Sequence, residues 1–267
     1  MVTSESKAEI RIEIRGGCLW IWIDREERRN AINKNVIAGI ELALTQAQHS
    51  SDVRAVVLTG VGRKAFCAGA DLTGGSGAFT LGLDEPMTDF GRLARLVRSL
   101  GLPLIGRING DCVAGGMGLM ALCDLVVVAD HARFGLPEAK VGVFPMQVLV
   151  FLRGMIGSRH VNELCLTGEL IDAARAREIG IANYVVPFDE LDARVDALIA
   201  RLRSMSPVAL RRGKYAIAAM ESMAFAEALA FAETSISIAS LTTDATEGIA
   251  AFNERRPPKW SREAGNE

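Results

Sequence analysis

The sequence predicts an α/β core followed by a helical C-terminal subdomain, and three observations carry that expectation. Short β-branched apolar runs recur along the first part of the chain. Segments with apolar residues at helical spacing separate them, and from 188 onward the helical spacing is almost unbroken. The expected division is a core over 1–200 and a helical subdomain over 201–267.

In chain order, EIRIEIR (9–15) and CLWIWI (18–23) flank Gly16-Gly17 and predict a β-hairpin with alternating faces. The segment NAINKNVIAGIELALTQAQ places Ile32, Val36, Ile40 and Ala43 on one helical stripe. VRAVVLTG (53–60) has the almost wholly apolar, β-branched character of a strand buried on both faces. A helix over 87–99, strand PLIGRI, a helix from about 114 and strand DLVVVA follow. Helices near 147–155, 159–166 and 172–179 then precede strand ANYVV. The alanine-rich segment 222–250 reads as helix, either packed on its own domain or forming a subunit contact. GGSGAFTLGLDEP (74–86) reads as a mobile loop, a possible lid.

Composition excludes several classes. The 267 residues are 49% hydrophobic with a formal net charge of −2, which gives no electrostatic case for nucleic acid or an anionic membrane. Charges and Pro145 interrupt the longest apolar runs before a membrane span of roughly 18 residues could form. The opening MVTSESKAEIR has no apolar signal-peptide region. Five cysteines without a CxxC pair argue against zinc and against a disulfide framework, so a reducing cytoplasm is expected.

Some familiar chemistries fail on spacing. His49, His131 and His160 have no metal-ligand spacing and read as surface residues. GGSGA around Ser76 narrowly misses the G-x-S-x-G nucleophile elbow. Gly116-x-Gly118-x-x-Ala121 fits a loose dinucleotide pattern, which would make the chain an oxidoreductase. Asp124 and Asp130 come too soon to hold a ribose, and the preceding strand is internal.

Two stretches stripped of side chains remain. CVAGGMGLMALCD (112–124) opens a helix with Gly115-Gly116, and KAFCAGADL (64–72) follows a buried strand with Ala68, Gly69 and Ala70. Small residues there leave main-chain N–H groups open to an acceptor, and two convergent donors suit a developing oxyanion. Tight strand–helix packing is the alternative.

At these stretches the chain resembles the crotonase, or enoyl-CoA hydratase/isomerase, superfamily. RRNAIN (28–33), VVLTGVGRKAFCAGADL (56–72), the block INGDCVAGGMGLMALCDLVVVADHARFGLPEAKVGVFP (108–145), LTGELIDAARAREIGIANYVVP (166–187) and GIAAFNERRPPKW (248–260) carry the likeness in order. The resemblance implies a spiral of ββα turns with a helical trimerisation tail, as a homotrimer or dimer of trimers. It implies an acyl-CoA thioester as ligand, with no metal and no cofactor beyond the CoA of the substrate. The amides of Ala70 and Gly115 would hold the thioester oxygen. Arg28, Ala31, Ala68, Asp71, Leu72, Gly116 and Pro137 fall at substrate-binding positions.

One carboxylate stands where the resemblance leads one to expect two. The first acidic position is Gly118, and the second is Glu138 in RFGLPE. The usual P-G-x-G-G segment is Pro145-Met146-Gln147-Val148. Glu138 is therefore expected to act as a single acid/base, in an apolar pocket with Leu136, Pro137 and Val143 that raises its pKa. Asp111, Asp84 and Glu85 are the candidates for a second polar group. Double-bond isomerisation and hydration both remain open, and an acyl-CoA-binding protein with little turnover is the alternative. The loop 73–90 with Met117, Phe144 and Met146 is expected to set acyl length.

Overall fold

The computed structural model describes residues 8–73, 75 and 86–263. The hairpin forms as its glycines dictate. Gly16 (φ 55°) and Gly17 (φ 65°) both adopt the left-handed conformation that a tight two-residue turn needs, joining β1 (Ile10–Arg15) antiparallel to β2 (Cys18–Ile23). The alternation expected of both strands holds for neither: β1 is exposed along its middle, Ile12 and Ile14 included, and β2 is buried throughout. β2 lies between β1 and β3 (Ala55–Gly60), and its alternate residues enter two apolar clusters, Leu19, Ile21 and Ile23 on one face and Cys18, Trp20 and Trp22 on the other.

Helix α1 (Lys34–His49) starts two residues later than the apolar stripe suggests. Asn33 caps it by accepting a hydrogen bond from the Val36 amide at 2.9 Å. Ile32 therefore stays outside the helix, in a single parallel bridge to Ala70. Then come β4 (Ala65–Cys67), α2 (Asp89–Ser99), β5 (Leu104–Ile108), β6 (Asp111–Val113), α3 (Gly115–Ala121), β7 (Leu125–Ala129) and β8 (Arg133–Gly135). Helices α4 (Met146–Met155) and α5 (Ser158–Thr167), β9 (Ile171–Asp172), α6 (Ala173–Glu178) and β10 (Tyr184–Val186) complete the core.

Among the described residues these strands make two sheets. The larger has the order β1-β2-β3-β5-β7-β10, and every pairing in it except β1–β2 is parallel. The smaller has the order β4-β6-β8-β9, with β4, β6 and β8 parallel. After the first turn, whose two strands both join the large sheet, the turns β3-β4-α2, β5-β6-α3 and β7-β8-α4 each give one strand to each sheet and then a helix. The result is the crotonase-like spiral that the resemblance implies. The small sheet is absent from the elements read by periodicity, because strands of two or three residues are too short to show a period.

One apolar core lies under α1 to α6, with Ile21, Ile40, Leu58, Leu104 and Met117 fully or nearly fully buried. A second lies on the other face of the large sheet. There α7 (Leu191–Arg203) packs Leu191, Val195 and Leu198 on Trp20, Val57, Ile105 and Val127. The expected boundary at residue 200 falls inside α7.

Beyond it run α8 (Pro207–Met220), α9 (Phe225–Ser240), α10 (Thr243–Asn253) and α11 (Lys259–Glu263). The segment 222–250 is thus two helices. Thr242 ends the first by capping the second, accepting from the Ala245 amide at 3.2 Å. Lys214 fastens this region to the core, its ammonium 2.6 Å from Asp124 and donating to the Leu102 carbonyl at 2.9 Å. Phe225, Leu241 and Phe252 are each 83% exposed.

Candidate active site

Three adjacent parallel strands of the small sheet, β4, β6 and β8, end on the same side. The chain leaving β4 reaches Ala70, and the chain leaving β6 reaches Gly115. The chain leaving β8 reaches Glu138 in a 3₁₀ turn, Pro137–Val141. A crevice beyond the carboxyl ends of parallel strands is where α/β proteins commonly place their ligands.

The Ala70 amide owes its orientation to the bridge with Ile32. Ile32 donates to the Gly69 carbonyl at 2.7 Å and accepts from the Asp71 amide at 2.8 Å. A parallel bridge of this kind uses the neighbours of Ala70 and turns Ala70's own N–H the other way. Gly115 is the first residue of α3, where an amide has no partner within the helix. Neither amide meets an acceptor among the described residues. The two segments touch: a Cβ on Gly115 would lie 3.6 Å from the Ala70 nitrogen, 3.5 Å from Gly69 Cα and 3.3 Å from Ile32 Cδ1.

Local backbone strain marks the junction. Ala114, just before α3, has φ 52° and ψ −128°, a conformation that a residue with a side chain rarely adopts. Its amide is tied to the Gly135 carbonyl at 2.9 Å, which keeps β6 and β8 together up to the site. Gly69 has φ 92°, and a Cβ there would lie 2.7 Å from Ala114 Cβ. Gly116 is needed for a different reason. A Cβ at that position would meet the Cys67 carbonyl oxygen at 2.3 Å, so close packing of α3 on β4 demands the glycine.

Glu138 sits between Leu136, which is buried, and Val143, whose amide donates to the Glu138 carbonyl at 3.3 Å. Its Oε2 is buried without a hydrogen-bond partner among the described residues. Burial pushes its pKa above the ordinary glutamate value, opposed in part by its own backbone amide. The turn that carries Glu138 packs on α5, where burial first and the charge of Glu138 second push the Cys165 thiol up to about 11.

The other residues read from the sequence distribute around this point. Ala68, half-buried, donates its amide to the Arg29 carbonyl at 3.1 Å. Ala31 is buried, while Arg28 and Leu72 are exposed at the rim. Pro137 is half-buried and opens the turn that carries Glu138. The Asp71 carboxylate is held well below the usual range, at about 2, by hydrogen bonds from Thr73 and Arg25. Arg25 is buried and binds both sides of the Ile32–Ala70 bridge. It donates to Asp71 at 2.8 Å and to the Ala31 carbonyl at 2.6 Å, and its Nε lies 2.9 Å from Glu9.

The second polar group does not come from Asp111. That residue starts β6, at the opposite end from Gly115, and its carboxylate is paired with Arg133 at 2.8 Å. Asp84 and Glu85 lie outside the described residues, as do Ser76 and most of the loop expected to act as a lid. The dinucleotide reading loses its geometric basis. Another strand, β6, intervenes between β5 and α3, and both glycines of the pattern are packed against protein.

Periodicity put Ile32 on a helical stripe and gave no site role to Phe90 or Val148, yet all three line the Gly115–Gly118 face of α3. A Cβ on Gly118 would lie 2.7 Å from Phe90 Cζ and 3.2 Å from Val148 Cγ2. No residue-level signal pointed to Phe90, because its neighbour in space is 28 positions away in sequence.

Comparison with known proteins agrees with this geometry. The family model described as Enoyl-CoA hydratase/isomerase matches residues 13–263. A Mycobacterium leprae protein named "Probable enoyl-CoA hydratase echA8" is 35% identical over 244 residues, covering 90% of this chain and 93% of that protein. A crystal structure of an enoyl-CoA hydratase from Mycobacterium smegmatis superimposes with TM-score 0.88 at 28% identity, covering 95% of this chain and 99% of that one. One from Bacillus anthracis does so with TM-score 0.87 at 29% identity, with the same coverage. A match across nearly the whole chain, together with the two-sheet spiral, places this protein in the enoyl-CoA hydratase/isomerase family.

Proposed function

We propose that the protein binds an acyl-CoA thioester and stabilises its enolate. The Ala70 and Gly115 amides would hold the thioester oxygen while Glu138 transfers the proton. The observation that carries this reading is the pair of neighbouring amides without acceptors, one strand away from a buried, unpartnered carboxyl. Each such donor contributes about 2.7–4 kcal/mol in comparable transition states. A carboxyl whose pKa is raised by burial exchanges protons near neutral pH more readily than a free one. This chemistry calls on two main-chain amides, one carboxyl and the CoA thioester itself. Arg28, Ala31, Ala68, Asp71, Leu72 and Pro137 belong to the walls and rim that would receive the CoA portion, while Gly116 seats α3 on β4 behind Gly115.

The exposed apolar residues of α9 and α10, Ile236, Ile238, Ile249 and Phe252 among them, support assembly of copies into a homotrimer or dimer of trimers. Five buried free thiols fit a reducing cytoplasm.

The test is turnover of 2-enoyl- and 3-enoyl-CoA esters by the pure protein and by Glu138→Ala. Loss of activity by roughly 100-fold or more in the variant, with CoA-ester affinity nearly intact, is the expected result. Saturable binding with no turnover of either ester would favour an acyl-CoA-binding protein. Full activity in the variant would remove Glu138 from the mechanism.

A further inference from the structure

The two departures from the family pattern, Gly118 and the segment Met146-Gln147-Val148, meet at one place. Gly115 and Gly118 are three residues apart on α3, so they share a face. The Gly115 end of that face looks toward the Ala70 nitrogen. One turn further on, the volume that a side chain at 118 would use is filled by the Phe90 ring and a Val148 methyl.

Phe90 is held there. Its ring meets Phe151 edge-on at 6.3 Å, and it packs partly buried against the main core. Thr88 caps α2 by accepting from the Gly91 amide at 3.0 Å, and Gln147 donates to the same Thr88 hydroxyl. The first turns of α2 and α4 are thereby joined across the Gly118 face. Where a carboxylate could orient water, this chain presents hydrocarbon from α2, α3 and α4.

We infer that Phe90 is a specificity-determining residue. It excludes the ordered water that hydration needs and directs the site to moving a proton within a 3-enoyl thioester. The inference rests on the reading of Glu138 and the two amides above. In the favoured step the Glu138 carboxylate takes a proton from C2, and the C–H electrons pass into a dienolate whose oxygen is held by Ala70 and Gly115. The Glu138 carboxyl then returns the proton to C4, leaving a C2=C3 double bond. No water is added, and no oxidant or reductant is used. Water addition, by contrast, needs a second polar group, and among the described residues the atoms nearest the Gly118 face are the Phe90 ring and a Val148 methyl.

The experiment measures two rates on the intact protein with esters of one chain length. One is appearance of the conjugated thioester from 3-enoyl-CoA, and the other is formation of 3-hydroxyacyl-CoA from 2-enoyl-CoA, read by mass. Isomerisation should exceed hydration by roughly 100-fold, the contribution of one positioned acid or base. Phe90→Ala should shift that ratio toward hydration by about 10-fold, whereas Phe90→Leu, which keeps most of the bulk, should leave it close to the native value. Native hydration as fast as isomerisation, with both dependent on Glu138, would overturn the role of Phe90 and leave the proposed function standing. So would a Phe90→Ala variant that loses both rates in equal proportion. Turnover of neither ester by the native protein would overturn this inference and the reading beneath it together. The native ratio alone decides the matter if Phe90→Ala does not fold.

Discussion

The two sheets of this protein divide stability from chemistry. The large sheet has strands of up to six residues, mostly apolar apart from the charged, exposed β1, and two of them are buried along their whole length. The small sheet has strands of two or three residues, yet β4, β6 and β8 deliver Ala70, Gly115 and Glu138. A long parallel sheet covered on both faces gains its stability from area removed from water. The small sheet contributes little area. It fixes where three strands stop, and a site built on strand ends inherits the precision of the register. Under the proposed function, rigidity and reactivity are therefore supplied by different parts of one spiral.

Substitutions on the two sheets should separate these roles. The largest effect on stability is expected from Ile105→Ala, which empties fully buried volume between the large sheet and α7. It should cost about 2–5 kcal/mol in urea unfolding and leave kcat close to native. A large fall in kcat in folded protein would show that the two regions are coupled.

Gly116→Ala is expected to do the opposite. Its methyl would press on the Cys67 carbonyl, for about 1–3 kcal/mol of stability. By moving α3 off β4 it should also lower kcat by roughly 100-fold, the cost of a small misplacement of a reacting group. A stability loss with native kcat would mean that α3 can shift without moving the Gly115 amide.

A smaller effect is expected from pH. Burial raises the Glu138 pKa, so the folded protein takes up this proton more readily than the unfolded chain. That contribution to stability is lost as pH rises from the ordinary glutamate value through the raised one. Glu138→Gln should therefore match the native Tm in acid and exceed it above this window. In the native enzyme the rate should rise with pH through an inflection above that of a free glutamate. Coincident Tm curves for the two proteins would place the carboxylate in water rather than in a pocket.

The smallest effect is expected at Ala114, whose positive φ carries strain of about 1–3 kcal/mol. Ala114→Gly relieves it but frees the unfolded chain, so a net gain of about 1 kcal/mol in unfolding stability is expected. No gain would mean that contacts of the Ala114 methyl offset the strain.

Much of the large sheet was legible in the chain. Runs such as AVVLTG and LVVVA can hardly be anything but buried strands, and Gly16-Gly17 between two such runs leaves one tight turn. Helix starts were less legible, as Ile32 shows. It continues the apolar stripe of α1, but Asn33 caps the helix after it, and the freed Ile32 backbone orients Ala70 instead. The alanine-rich run 222–250 similarly concealed the cap at Thr242.

At the site, residue types spoke clearly only where something was missing. The bare stretches around Ala70 and Gly115 marked places of close approach, and Gly118 marked an absent acid. Sequence by itself determined the succession of large-sheet strands and helices, because that follows from local pattern; the ββα turns and the single carboxyl at Glu138 came from the resemblance to the crotonase superfamily. Tertiary structure alone decided that Gly116 serves packing, that Arg25 braces the Ala70 segment and that Phe90 fills the space beside Gly118. Those outcomes depend on distances between segments far apart in the chain, which the spacing of residues along it does not encode.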